Sequence, residues 1–162
     1  MKHNAMERVA KLLRVLVYIA LAVNVICLPF VPYFTLMLLF VGKETQVSYW
    51  LMIELYFWVC GGCTAVILWQ AKRILNTILA RNPFQSANAK SMNRAATACW
   101  VISAASVVRF VVELLMFWDP VYLFSYNTIF IPAFFMAGLL FKVMGALFRQ
   151  ASELQEEQNL TI

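Results

Sequence analysis

The chain has 162 residues, of which 63% are hydrophobic and 13% charged, and its mean hydropathy is +0.75. Soluble domains carry close to a quarter charged residues, so a water-soluble fold is excluded as the starting point, and the length excludes two ordinary domains. The formal charge of +5, from 13 Lys and Arg against 8 Asp and Glu, then reports on membrane orientation rather than on nucleic-acid binding.

At ~20 apolar residues per crossing, the sequence predicts four transmembrane helices. Residues 1–14 are basic, with Lys2, Arg8, Lys11 and Arg14 against Glu7. An uncharged run then extends from Val15 to Val41. Ala20-Leu21-Ala22 weakly imitates a signal-peptidase site, but the residues after it stay apolar, so a retained helix over about 9–29 is expected. Pro29 and Pro32 break it, and residues 31–41 either complete the crossing or lie at the outer interface. A second span covers about 47–70, with Tyr49, Trp50 and Tyr56 at its interfacial start. The stretch 71–94 reads as a basic cytoplasmic loop. A third span covers about 95–117 and ends at Trp118-Asp119-Pro120. The fourth runs over about 121–147, followed by a polar tail, 149–162.

Orientation follows from counting. Four Lys/Arg precede the first span, Lys72, Arg73, Arg81, Lys90 and Arg94 fill the central loop, and Lys142 and Arg149 flank the last span. The opposite side has Lys43. The positive-inside rule places both termini and the central loop in the cytoplasm. Continuous apolar blocks without alternation predict helices rather than barrel strands.

Three ionisable residues fall inside the spans: Glu54, Arg109 and Glu113. At ~1.5 Å per residue they lie ~10, ~12 and ~6 Å from the outer ends of their helices. Arg109 and Glu113 are i,i+4 neighbours. With Asn24 and Asn127 they are expected to form one polar layer in the outer half. It serves either as an ion-pair network that fixes packing or as a pocket for an ion, peptide or headgroup.

Cys27, Cys60, Cys63 and Cys99 all sit in apolar stretches, as small buried hydrophobes do. Cys60-Gly61-Gly62-Cys63 places two thiols on one helix face and admits thiol–disulfide exchange if a thiolate is stabilised. Its depth opposes that, and helix packing through the two glycines is the simpler reading. His3 lies in the N-terminal tail. No metal, cofactor or catalytic set is expected.

In the central loop, Asn82 and Pro83 suit a helix start and Phe84 an anchor at the membrane surface. This block, Asn82-Pro83-Phe84 with Asn88-Ala89-Lys90, and the ending Leu154-Gln155-Glu156-Glu157-Gln158-Asn159-Leu160-Thr161-Ile162 resemble domain-of-unknown-function family 2975, the YoaS-like bacterial integral membrane proteins. The resemblance covers essentially the whole chain. Ala87 and Asn159 stand where the family often carries an acid. The family has no assigned activity. Its members' frequent neighbourhood with a small helix-turn-helix regulator implies a membrane protein that binds or sequesters a DNA-binding partner. Leu147, Ala151 and Leu154 follow an i, i+4, i+7 stripe suited to such contact, and Glu153, Glu156 and Glu157 suit a basic partner face. Pro83, Phe84, Asn88 and Lys90 complete the expected partner or lipid contacts.

The combined reading is an all-α membrane protein, a four-helix transmembrane bundle in a single domain of a bacterial inner membrane. It is expected to be a non-enzymatic regulatory protein that contacts the lipid bilayer and a helix-turn-helix partner, binds no nucleic acid directly, and has room for homo-oligomers. The alternatives are a small transporter or channel component and a membrane thiol-disulfide oxidoreductase.

Overall fold

The computed structural model describes residues 2–41, 47–80, 85–117 and 126–160. They form five helices: α1 (Lys2–Cys27), α2 (Phe30–Val41), α3 (Val47–Leu79), α4 (Ser86–Phe117) and α5 (Tyr126–Leu160). Among the described residues there is no strand. Four helices are long and apolar enough to cross a membrane. Their apolar stretches leave the backbone no solvent to bond with, so intrahelical bonding is the available solution in lipid.

Along α1, Ala10 is buried and Arg14, Val17, Leu21, Asn24 and Leu28 are half-buried, while the residues between them are exposed. This alternating spacing of four and three marks one stripe facing α3. The helix closes where the Leu28 N–H donates to the Asn24 carbonyl at 3.1 Å. Pro29 has no N–H to continue the ladder, and a turn follows in which Val31 N–H meets the Leu28 carbonyl at 3.2 Å. Leu28 then sits against Gly61, where an added Cβ would lie 2.8 Å from its Cδ2. Gly61 lies fourteen residues into α3, ~21 Å from its start, so the break between α1 and α2 falls beside the middle of α3. Beyond the break α2 packs on α3 and touches few residues of α1.

The polar stretch 71–94, read from composition as a loop, is mostly helix. Turns of α3 run to Leu79 and α4 begins at Ser86. The reason is amphipathic packing: Ile74, Leu75, Ala89 and Ala95 are buried, while Arg73, Lys90 and Arg94 are exposed. The fourth span, expected from 121, is described from Tyr126, and the tail continues as helix to Leu160.

Helices α4 and α5 share the largest interface, and its register repeats every seven residues. Ser103 Oγ donates to the Ile131 carbonyl at 3.0 Å. One heptad away, Gly138 lies against Trp100 and the Ala96 carbonyl. One heptad further, Gly145 lies against Asn93, Met92 and the Ala89 carbonyl. Small residues let the backbones approach, which favours helix association in lipid through dispersion. Pro132 sits within α5 and removes the donor that would meet the Thr128 carbonyl.

The remaining interfaces are α3 with α4, α1 with α3 and α2 with α3; no substantial α1–α4 or α1–α5 interface occurs among the described residues. The helices therefore stand in an open row, α1/α2, α3, α4, α5, instead of closing into a ring of four. The accessible surface, 11423 Å², exceeds the roughly 8,200 Å² of a compact chain of this mass, as an open row should.

Candidate functional site

The densest set of buried polar groups lies in the α3–α4 seam. Arg109 Nε donates to Glu113 Oε1 at 2.8 Å, one turn away on α4, and both side chains are almost wholly buried. From α3, the Tyr56 ring stands 4.8 Å from the guanidinium carbon and the Phe57 ring 6.0 Å. The Tyr56 hydroxyl meets Ser106 Oγ at 3.1 Å. Ser106 donates its one hydrogen to the Ile102 carbonyl at 2.9 Å, so Tyr56 is the donor to Ser106. The guanidinium is thus held by a carboxylate on its own helix and an aromatic face from its neighbour.

A cleft of about 170 Å³ opens beside this group, between Met52, Leu55, Tyr56 and Val59 of α3 and Ala105, Val108 and Arg109 of α4. Its walls are apolar apart from the Tyr56 and Arg109 side chains, which suits hydrocarbon better than a hydrated ion.

Glu54 does not join Arg109; no described contact connects them. The two-residue step from Glu54 to Tyr56 corresponds to ~200° around the helix, so with Tyr56 turned to α4, Glu54 is turned away. It shares a stripe with Gly61, which meets Leu28 at the end of α1, and lies on the turns beyond that end, where α2 packs on α3. Asn24 belongs to the α1–α3 seam, and its Oδ1 is buried without a hydrogen-bond partner. The Leu28–Gly61 contact sets Asn24 opposite residue 65 of α3, ~16 Å along the axis from Glu54. Counting depth along α1 as an unbroken crossing misses this displacement. The side chain of Asn127 lies outside those described. The expected layer thus resolves into an Arg109–Glu113 centre and two separate groups on the other side of α3.

The Cys60-Gly61-Gly62-Cys63 motif also divides. Gly61 receives Leu28, whereas Gly62 has nothing within 4 Å of a built Cβ. Cys60 lies beside Tyr56. Cys63 is one heptad from Tyr56 and turns toward Cys99, one heptad from Ser106. All four thiols are free, and among the described residues no group of three His, Cys, Asp or Glu could hold a metal ion.

At the other end of this seam Asn88 is turned inward, with 1% exposure. Its Nδ2 donates to Thr77 Oγ1 at 2.7 Å, and Thr77 donates to the Ile74 carbonyl at 2.7 Å. Asn88 staples α3 to α4 and presents no contact surface. Lys90 is exposed, and Pro83 and Phe84 lie outside the described residues. On α5, Glu153 accepts from Arg149 Nε at 2.9 Å with both side chains exposed; Glu156 and Glu157 are exposed too. The roles of Tyr56, Ser106 and Thr77 were not drawn from sequence, although the heptad spacing of Tyr56, Cys63, Gln70 and Thr77 carries the signal.

Long apolar helices, an ion pair sealed between two of them and polar ends define a multi-pass helical membrane protein. Over residues 13–162 the chain matches the profile described as "Protein of unknown function (DUF2975)", and it belongs to that family. No curated protein and no solved structure gives a match.

Proposed function

We propose that the protein is a non-catalytic regulatory component of a bacterial inner membrane, which holds a small helix-turn-helix DNA-binding protein at the cytoplasmic surface through the end of α5. The observation that carries this reading is the uninterrupted run of α5 to Leu160. In the α4–α5 register Ser86 falls opposite residue 148, so the last turns extend past the start of α4. Leu147 and Leu154 are 54% and 61% exposed, and Met144, Leu147, Phe148 and Ala151 border a shallow groove of about 240 Å³. An apolar stripe beside Glu156 and Glu157 has the chemistry for a partner with an apolar groove and a basic rim.

Orientation completes the proposal. The α1–α2 pair runs along α3 as one kinked crossing, supported by the contact of Leu28 with mid-α3. Four crossings then put both termini on the basic, cytoplasmic side. Affinity purification of the full-length protein from its native membrane tests the reading. A small basic DNA-binding protein should copurify, and Leu147→Glu/Leu154→Glu should abolish its recovery while leaving the membrane protein folded. Copurification that survives this double substitution, or recovery of no DNA-binding protein, overturns it.

A further inference from the structure

A second group of charges lies in the α1–α3 seam, on the turns nearest the basic end of the molecule. Lys72 of α3 directs its ammonium onto two rings, Tyr18 of α1 and Trp69 of α3, with Nζ 4.6 Å from each centroid. Tyr18 and Trp69 are 45% and 50% exposed, so the rings stand at the molecular surface with the ammonium between them. Arg14, half-buried on the stripe that faces α3, lies one turn before Tyr18, ~6 Å along the axis. The Tyr18–Lys72 and Leu28–Gly61 contacts fix the antiparallel register, which brings Arg14 beside the turn after Lys72. Arg73 adds a third, exposed cation. Among the described residues, no acidic side chain pairs with Arg14, Lys72 or Arg73.

Two cations sharing a half-buried seam repel each other, and aromatic faces stabilise an ammonium without cancelling its charge. We propose that the notch between Arg14 and Lys72 binds the phosphodiester of an anionic phospholipid, phosphatidylglycerol. The Arg14 guanidinium offers paired donors to two phosphate oxygens. Lys72 supplies a point charge held in place by Tyr18 and Trp69, ring types that favour headgroup depth. Exposed Ile19 and Val23 of α1 and Val66 of α3 continue from the notch into the apolar span and receive the acyl chains. This site is separate from the α5 surface and stands whether or not a protein binds there.

The test uses full-length protein in neutral detergent, titrated with short-chain phosphatidylglycerol, phosphatidylcholine or inorganic phosphate, with thermal stability and native mass spectrometry as readouts. Phosphatidylglycerol should be retained and should raise the melting temperature, whereas the other two at matched concentration should not. Arg14→Gln and Lys72→Gln should each weaken binding about fivefold, the factor for one cation facing an anionic lipid. Arg14→Lys, which keeps the charge but not the paired donors, should weaken binding less than Arg14→Gln, and Arg94→Gln, on exposed α4 surface, should leave it unchanged. Wild-type binding by Arg14→Gln and Lys72→Gln overturns the site. An equal response to phosphatidylcholine overturns the charge recognition, and an equal response to inorganic phosphate overturns the lipid as its source. If a glutamine variant fails to fold, loss of selectivity in Tyr18→Leu, which removes one ring from the ammonium and no charge, decides the question; unchanged selectivity there counts against the notch.

Discussion

The α4–α5 seam and the α1–α3 seam solve the same problem in lipid with different materials. Between α4 and α5, Ala89, Ala96 and Ser103 meet Gly145, Gly138 and Ile131 at strict heptads, so backbones approach and dispersion is dense. Between α1 and α3, the contacts are Leu28 on Gly61 and Tyr18 on Lys72, and Ala10 is the one described α1 residue classed as buried. The apolar stretch of α4, packed between α3 and α5, is 33% buried, against 11% in α5 and 6% in both α1 and α3. Within lipid, apolar side chains gain little by leaving the bilayer for a helix surface. A seam of large side chains is therefore weakly held, whereas a seam of small ones is fixed. The row has a rigid α3–α4–α5 side and a loosely attached α1–α2 side.

The α3–α4 seam should produce the largest effect. Glu113→Gln takes the carboxylate from a buried Arg109, and breaking a buried ion pair from one side costs about 3–5 kcal/mol. Thermal unfolding in detergent should show a large fall in melting temperature, partly recovered in Glu113→Gln/Arg109→Leu. Glu54→Gln, on the stripe turned away from α4, should leave stability nearly unchanged. A loss in Glu54→Gln as large as in Glu113→Gln would mean that the two sides of α3 share one charge network after all.

Next in size is Gly138→Ala. Its Cβ would overlap Trp100 Nε1 and lie 2.5 Å from Cδ1, with the Ala96 carbonyl at 3.2 Å behind. Moving an indole inside a packed seam costs about 1–3 kcal/mol, the range for overpacking. Gly138→Ala/Trp100→Phe should regain part of that loss. An unchanged melting temperature in Gly138→Ala would show that this seam has the same slack as the α1 side.

Much of this was legible in the sequence, because length, apolar runs and turn residues are local properties. The helices of the second, third and fourth spans, the Arg109–Glu113 pair and the break at Pro29 all follow from spacing along one segment. What was not legible depends on rotation between segments. Glu54 and Arg109 lie at one depth, but depth does not say that Tyr56 takes the α4-facing position and turns Glu54 away. Asn88 looks like a surface polar residue in a basic stretch until Thr77 of another helix is placed beside it. The polar run 71–94 has a loop's composition, yet the buried or half-buried positions Gln70, Ile74 and Thr77, and again Asn88, Ser91 and Ala95, carry helical spacing. Reading those positions for period, with the charges set aside, recovers the two helix ends.

The smallest effect distinguishes the two adjacent glycines of α3. A mid-helix glycine costs roughly 0.5–1 kcal/mol relative to alanine, because the unfolded chain loses more freedom. Gly62 has nothing within 4 Å of a built Cβ, so Gly62→Ala should collect that gain in full and raise the melting temperature slightly. Gly61→Ala starts with the same gain but sets a Cβ 2.8 Å from Leu28 Cδ2 and 3.1 Å from Cγ. Leu28 is half-buried, at the end of α1 and beside the Pro29 break, so its side chain can yield by rotation or a small shift of a weakly held helix. The two terms should nearly cancel and leave Gly61→Ala close to wild type. A loss in Gly61→Ala as large as that in Gly138→Ala would show that the α1 seam is as rigid as the α5 seam. A gain equal to that of Gly62→Ala would show that Leu28 moves freely. An intermediate position between those limits measures the slack in the α1–α3 contact directly.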